Sequence, residues 1–273
     1  MRKQLLLWCV MLCFAQGFIG ELSAQKVYVV SVGIADYKEI TDLNLTENDV
    51  KTFNALFSGQ KNVEIKTLLG SQATHVNVIS ALRSSFAKAQ KEDLMIFFFS
   101  GHGYEGGFCC WDMSGKSPWF SNDIVDRNQL AMANRSYGGL SYAEMQILFR
   151  NCRAGRKIVI ADACHSGGLL GGEQLNLTLQ SARNGEVVYF LSSRLEETSL
   201  EMRGDNNGLF TKYVVKGLRG ESDANSNGHI TLKEIYDYVY RSVVGIADQA
   251  NHNQHPVLWG KYNENMIIYK IMK

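Results

Sequence analysis

The chain has 273 residues, with 28 Lys plus Arg against 27 Asp plus Glu and only two prolines. Hydrophobic residues make up 45% and charged residues 20%, the mix of a globular protein with a full core, which excludes a disordered tail or a collagen-like rod. Near-neutrality leaves no surplus of basic side chains to neutralise phosphates, so no nucleic-acid partner is expected. The length suits one large α/β domain or two small ones. Six cysteines admit a disulfide frame, a metal site or a reactive thiol, and the count does not choose among them.

Residues 1–24 read as an export signal. Arg2 and Lys3 form a basic start, Leu5 to Ile19 is an almost uncharged apolar run, and Leu22-Ser23-Ala24 offers small residues for cleavage after Ala24. The alternative is an uncleaved anchor, although the run falls short of the ~20 apolar residues that a membrane span needs. On either reading the chain is exported, to a periplasmic or secreted location. Removal of Arg2, Lys3 and Glu21 leaves 26 basic against 26 acidic residues, and loss of Cys9 and Cys13 leaves Cys109, Cys110, Cys152 and Cys164. No later segment is long and apolar enough to span a bilayer. The domain to be explained is therefore 25–273.

Strands and helices then alternate. Val27–Ile34 is a β-branched run that reads as a buried strand. Thr46-Glu47-Asn48-Asp49 has the form of a capping box, followed by Val50, Phe53, Leu56 and Phe57 at helical spacing. Val63–Leu69 is a short strand, and Val76, Ile79, Leu82 and Phe86 mark a second helix. Leu94–Phe99 is an apolar strand that stops at Ser100-Gly101-His102-Gly103. A less regular stretch runs from Tyr104 to Gly139 and holds Cys109, Cys110, Trp111 and Trp119. Ser141 caps a helix carrying Met145, Leu148 and Phe149. The strand Lys157–Ala161 runs into Asp162-Ala163-Cys164-His165-Ser166-Gly167-Gly168, and Glu186–Ser192 is a further strand. Helical stripes follow at Leu209–Leu218 and Leu232–Val243, and Met266–Ile271 is a last apolar strand. This alternation predicts an α/β fold, a mostly parallel central sheet flanked by helices on both faces, in one domain.

In an open α/β sheet, sites form outside the carboxyl ends of the strands. Here one such end delivers His102 between two glycines and another delivers Cys164. Glycines beside a histidine allow a sharp turn and a close backbone approach to a substrate. A cysteine becomes a good nucleophile as its thiolate, which a nearby imidazole generates or stabilises. Taken singly, such a cysteine is a small buried apolar residue and such a histidine a structural one; together at two strand ends they form an acyl-transfer pair.

The segments Phe99-Ser100-Gly101-His102-Gly103 and Asp162-Ala163-Cys164-His165-Ser166-Gly167-Gly168 resemble the two catalytic motifs of the caspase-like cysteine peptidases, the clan of caspases, metacaspases and clostripain, and most of all bacterial metacaspase-like peptidases. Val29–Tyr37, Asn48-Asp49-Val50 and Gly208-Leu209-Phe210-Thr211 add weaker similarity, so the likeness spans residues 27 to about 243. The resemblance implies a caspase–haemoglobinase fold, His102 as general base or acid, Cys164 as the attacking thiol, and an oxyanion hole from the N–H groups of Gly103 and Cys164.

Caspases place Gln where this chain has Asp162. A carboxylate two residues before the nucleophile would attract Arg or Lys into the pocket preceding the cut and disfavour Asp. The plainer reading is that Asp162 only accepts backbone N–H bonds. The resemblance also implies a second pocket acid in the segment after the next strand, where Glu196, Glu197 and Glu201 stand without the usual pattern, so that acid is unassigned.

Three smaller signals complete the reading. Gly101-His102-Gly103-Tyr104-Glu105-Gly106 satisfies G-x-G-x-x-G, but nothing after it has helical spacing, so the dinucleotide match is accidental. Asp223, Asn225, Asn227 and Glu234 follow the order of a calcium-binding EF-hand loop; the alternative is a turn-rich connection with Thr231 and Glu234 capping the last helix. Arg183, between Leu169 and Glu186, is a candidate for self-cleavage or a plain solvated charge. The expected function is a cysteine endopeptidase that cuts polypeptides after basic residues through a Cys164/His102 dyad and a thioacyl intermediate. No cofactor is needed for that chemistry, and calcium is the one candidate ligand. The rivals are a catalytically idle, calcium-responsive binding module and a thiol redox protein; for the latter no Cys-x-x-Cys is present, and Cys109-Cys110 would give only a strained vicinal disulfide.

Overall fold

A computed structural model describes residues 25–104, 106–117, 137–164, 187–194, 196–202, 204–260 and 262–272. Residues 1–24, read above as an export signal, Trp119, His165 to Gly168 and Arg183 lie outside the described residues.

The β-branched and aromatic runs form the central sheet because they can be buried on both faces. Every residue of β1 (Val27–Gly33), β3 (Leu94–Ser100) and β8 (Val187–Leu191) is buried, as is nearly all of β7 (Arg156–Asp162). Such runs suit parallel strands sandwiched between helices, where no face alternates with water. With β2 (Val63–Leu69) and β10 (Val257–Trp259), the six strands lie in the order β10-β8-β7-β3-β1-β2, all parallel except β10. Helices α2 (His75–Phe86) and α3 (Tyr142–Arg150) cover one face; α1 (Thr46–Ala55), α4 (Leu209–Lys216) and α5 (Leu232–Gln249) cover the other. The expected α/β architecture is therefore the observed one.

Register positions the chemistry. Gly33 pairs with Ser100 and Ser100 pairs with Asp162, so β1, β3 and β7 end level at their carboxyl edge. Whatever follows two residues beyond Ser100 and Asp162 must emerge side by side.

Several details depart from the sequence-based expectations. The Thr46–Asp49 capping box does not form. Leu45 occupies the N-cap with no side-chain bond, and the Thr46 hydroxyl is buried within the first turn without a partner among the described residues. The Asp49 carboxylate is drawn to Asn207 and Gly208 instead, because that contact holds the start of α4. The other two caps form: Ser141 Oγ accepts from the Glu144 N–H, and Thr231 with Glu234 makes a full capping box at α5. The stretch read as irregular contains a small antiparallel sheet of β4 (Gly103–Tyr104), β5 (Gly107–Cys109) and β6 (Gly139–Ser141). Strands of two or three residues are too short to show a period. Since β4 and β5 form a hairpin, no helix opens at Gly101 to Gly106, as the nucleotide fingerprint would require. The last strand, β11 (Ile267–Lys270), pairs outside the main sheet with β9 (His229–Thr231), and β10 was not anticipated.

Phe53 of α1 stacks on Phe98 of β3, with centroids 4.2 Å apart, planes within 6° and both rings fully buried. Phe98→Ala should cost about 3–5 kcal/mol, as expected for emptying such a site. Urea unfolding would show it as a lowered midpoint at unchanged slope.

Candidate active site

His102 leaves β3 into the β4–β5 hairpin, and Cys164 lies two residues past the end of the neighbouring strand β7. The two backbones touch. A Cβ on Gly103 would stand 2.2 Å from the Cys164 carbonyl oxygen, so only glycine permits this approach. Gly101 N–H also donates to the Asp162 carbonyl at 3.2 Å, which ties the histidine loop to the cysteine strand.

The imidazole has a defined tautomer. Nε2 lies 2.7 Å from the Thr41 carbonyl oxygen, and a carbonyl can only accept, so Nε2 carries the proton and Nδ1 is left with its lone pair. Burial lowers the His102 pKa, while the Thr41 carbonyl and the charge of Asp42 pull it back up. The Cys164 thiol is half-buried and its pKa is raised, first by burial and then by the charges of Asp162 and Glu201, against N–H donation from the backbone of Ser199 and its own amide. Both shifts favour a neutral thiol and a neutral imidazole at rest. Such a pair can pass the thiol proton to Nδ1 as sulfur attacks a carbonyl.

Asp162 ends β7 almost fully buried. It accepts from Thr211 twice, the N–H at 3.0 Å and the hydroxyl at 2.8 Å, and from the Ser199 hydroxyl. Thr211 lies in the first turn of α4, so the backbone-acceptor role foreseen as the plainer reading of Asp162 is present: the carboxylate caps that helix. It is not alone there. Asp49 accepts from Gly208 N–H at 3.0 Å, Asn207 Nδ2 at 2.9 Å and Ser100 Oγ at 2.8 Å. A Cβ on Gly208 would come within 2.6 Å of the Asp162 carboxylate and 3.4 Å of the Asp49 carboxylate, so the two acids flank one glycine at the α4 N-terminus. Burial, then mutual repulsion, raises Asp49 to about 8; burial likewise raises Asp162. Among the described residues neither forms a salt bridge with a lysine or arginine.

Asp49 was placed on the first helix by its sequence, but nothing in the pattern pointed its carboxylate at Asp162. Of the three glutamates considered for a second acid, only Glu201 acts on the site, where its charge raises both Asp162 and Cys164. Glu197 is spent on His255, with Nδ1 at 2.7 Å and the N–H at 2.8 Å, and on the Arg194 N–H. Glu196 is exposed, and Glu201 is exposed at a bridge to Gly208. Ser199 is the other residue missed: its hydroxyl reaches Asp162 and its N–H reaches the Cys164 sulfur, so it links the acid to the thiol.

The Asp223–Glu234 loop closes on itself. Asp223 accepts from the N–H groups of Asn227 and Gly228, Asn227 accepts from the His229 N–H, and Asn225 Oδ1 accepts from the Asn227 N–H. Glu234 takes both Thr231 donors and the amide nitrogen of Asn225. That arrangement fits a capped turn, because Asn225 faces Glu234 with a donor where a cation would need an oxygen. Among the described residues no group of three or more His, Cys, Asp or Glu side chains is placed to hold a metal ion. Cys109, Cys110 and Cys152 are buried free thiols, so the vicinal disulfide does not form, and burial holds all three pKa values up.

The fold brings a thiol and an imidazole to adjacent strand ends of one sheet. A family profile for the caspase domain matches residues 26–266, and the chain belongs to the caspase family of cysteine peptidases, whose substrates are polypeptides. The crystal structure of protein GSU0716 from Geobacter sulfurreducens has a similar fold, with a TM-score of 0.60 at 15% identity over 91% of this chain and 100% of that one. No curated protein matches the chain.

The raised acid pair has a consequence for stability. Asp49 holds a proton more tightly in the folded chain than in the unfolded one, so its contribution is complete below about pH 4 and is lost as the pH rises through about 8. Unfolding midpoints should fall between these values, and Asp49→Asn should flatten that fall. An identical slope in wild type and variant would mean that Asp49 is not raised on folding.

Proposed function

We propose that the protein is an exported cysteine endopeptidase of the metacaspase type that cuts after Arg or Lys through a Cys164/His102 dyad. The observation that carries the basic preference is the pair of buried carboxylates, Asp49 and Asp162, the second of which acts on the thiol, with no lysine or arginine paired to either among the described residues. A guanidinium or ammonium group entering there would supply the missing charge and displace the proton the pair retains. A substrate Asp would add a third negative charge.

In the proposed reaction the Cys164 proton moves to Nδ1 of His102 as sulfur attacks the scissile carbonyl. The developing oxyanion is met by the N–H groups of Gly103 and Cys164, a role supported by the close packing of their backbones. Collapse breaks the C–N bond, and the proton passes from His102 to the leaving amine. Water then hydrolyses the thioacyl intermediate, with His102 as base. No step needs a metal; calcium enters only as a proposed stabiliser of the Asp223–Glu234 loop. Export rests on residues 1–24 and self-cleavage at Arg183 on the segment after the nucleophile, both as sequence readings. Among the described residues no helix is long and apolar enough to cross a membrane.

The helix-capping bonds of Asp162 favour a second reading in which both acids are purely structural. Fluorogenic peptides ending in Arg, Lys or Asp, with calcium or with chelator, decide between them. Wild type should turn over the Arg and Lys peptides and Cys164→Ala should not. Asp162→Asn should lower kcat/KM for them by about 10²-fold, the size expected for losing a buried charge pair. Efficient cutting after Asp would overturn the pocket assignment, and a wild type as silent as Cys164→Ala on every peptide would favour the binding module. The kcat/KM profile should rise with pH through a value below the ordinary histidine range of about 6.5, because burial disfavours the imidazolium.

A further inference from the structure

The turn after β1 grips His102 from several sides. Tyr37 Oη accepts the His102 backbone N–H at 2.8 Å, and the phenol ring lies against the imidazole with centroids 5.0 Å apart and planes tilted by 44°. Thr41 takes the Nε2–H from the other end of the ring. The Asp42 carboxylate accepts the Tyr37 N–H at 2.9 Å, which closes the turn so that the Tyr37 hydroxyl and the Thr41 carbonyl address the same histidine. The turn is itself fixed. Leu43 N–H donates to the Ala35 carbonyl at 2.9 Å, Lys38 N–H donates to the Trp111 carbonyl at 3.2 Å, and Glu39 accepts from Ser114 Oγ at 2.9 Å. The Tyr37 side chain is buried, and its hydroxyl donates onward to the Cys109 carbonyl at 3.4 Å. Gly101 makes room for it, since a Cβ there would stand 2.6 Å from Tyr37 Oη.

We propose that Tyr37 and Asp42 are positioning residues for His102, Tyr37 by holding its backbone and ring plane and Asp42 by closing the turn that carries both contacts. The proposal rests on His102 acting as the base. The hydroxyl accepts a bond that the backbone of a residue at a strand end would otherwise give to water, so it fixes where the imidazole stands. Asp42 adds a negative charge near the ring, which favours the imidazolium formed when Cys164 gives up its proton. Among the described residues the titratable groups that face this site are Asp42 and Tyr37 from this turn and Cys164 from the end of β7.

The test measures kcat and KM on an Arg peptide together with the rate at which iodoacetamide alkylates Cys164, each across pH. Tyr37→Phe keeps the ring and loses the acceptor; kcat should fall about tenfold, the size of one lost hydrogen bond, with KM within about twofold and alkylation near neutral pH slowed in parallel. Asp42→Asn keeps an acceptor for the Tyr37 N–H and removes only the charge, so the acid limb should move to lower pH while the turn persists. Asp42→Ala removes both and should lower kcat as well. An unchanged kcat and pH profile in Tyr37→Phe and Asp42→Asn, or changes confined to KM, would overturn the proposal. His102→Ala separates this failure from that of the dyad. If His102→Ala alkylates at the wild-type rate and pH profile, the dyad fails and takes the positioning roles with it. If His102→Ala is altered and Tyr37→Phe is not, only the positioning roles fall.

Discussion

The pairing of β3 with β7 is the constraint on which the site depends. Seven parallel pairs, ending at Ser100 and Asp162, bring two distant segments to the same height at the sheet edge. Every later contact follows from that register: Gly103 against the Cys164 carbonyl, Gly101 on the Asp162 carbonyl, and Ser100 on Asp49. A slip of one residue would turn each side chain to the opposite face and separate His102 from Cys164. Burial of nearly every residue of both strands makes such a slip costly, because it would exchange the apolar contents of the two cores.

A second consequence of that level edge is the position of the acids. Burying two carboxylates together is expensive unless donors and partial charges compensate them. Here the compensation comes from the N-terminus of α4, where Gly208 and Thr211 present orphan N–H groups, and from the hydroxyls of Ser100, Ser199 and Thr211. Hydrogen bonds satisfy the oxygens, but burial still raises both pKa values. The same acids therefore hold the start of the helix in place.

The imidazole is held by neutral groups. Its outer nitrogen meets a carbonyl and its backbone meets a phenol, and the carboxylate of Asp42 closes the turn that carries both. A carbonyl fixes the tautomer as firmly as a carboxylate would, without stabilising the imidazolium to the same degree. Burial favours the neutral form of both the imidazole and the Cys164 thiol.

The long apolar runs determined the strands, and the periodic stripes determined the helices, because burial on both faces or on one stripe leaves a local signature that needs no knowledge of the partner. His102 and Cys164 were legible for a related reason: each sits where an apolar run stops against glycine, which marks a strand end in a sheet whose sites lie at strand ends. Short strands such as β4 and β10 left no such mark. Nor did Asp49, whose place on a helix face was visible while the direction of its carboxylate was not; the sequence suggested a local cap, and only the packing of α1 against α4 sent it to Gly208. Tyr37, Thr41 and Ser199 belong to the same class. Their roles come from hydrogen bonds between segments far apart in the chain, two of them through backbone atoms that carry no side-chain identity, and such contacts exist only once the sheet has set the distances.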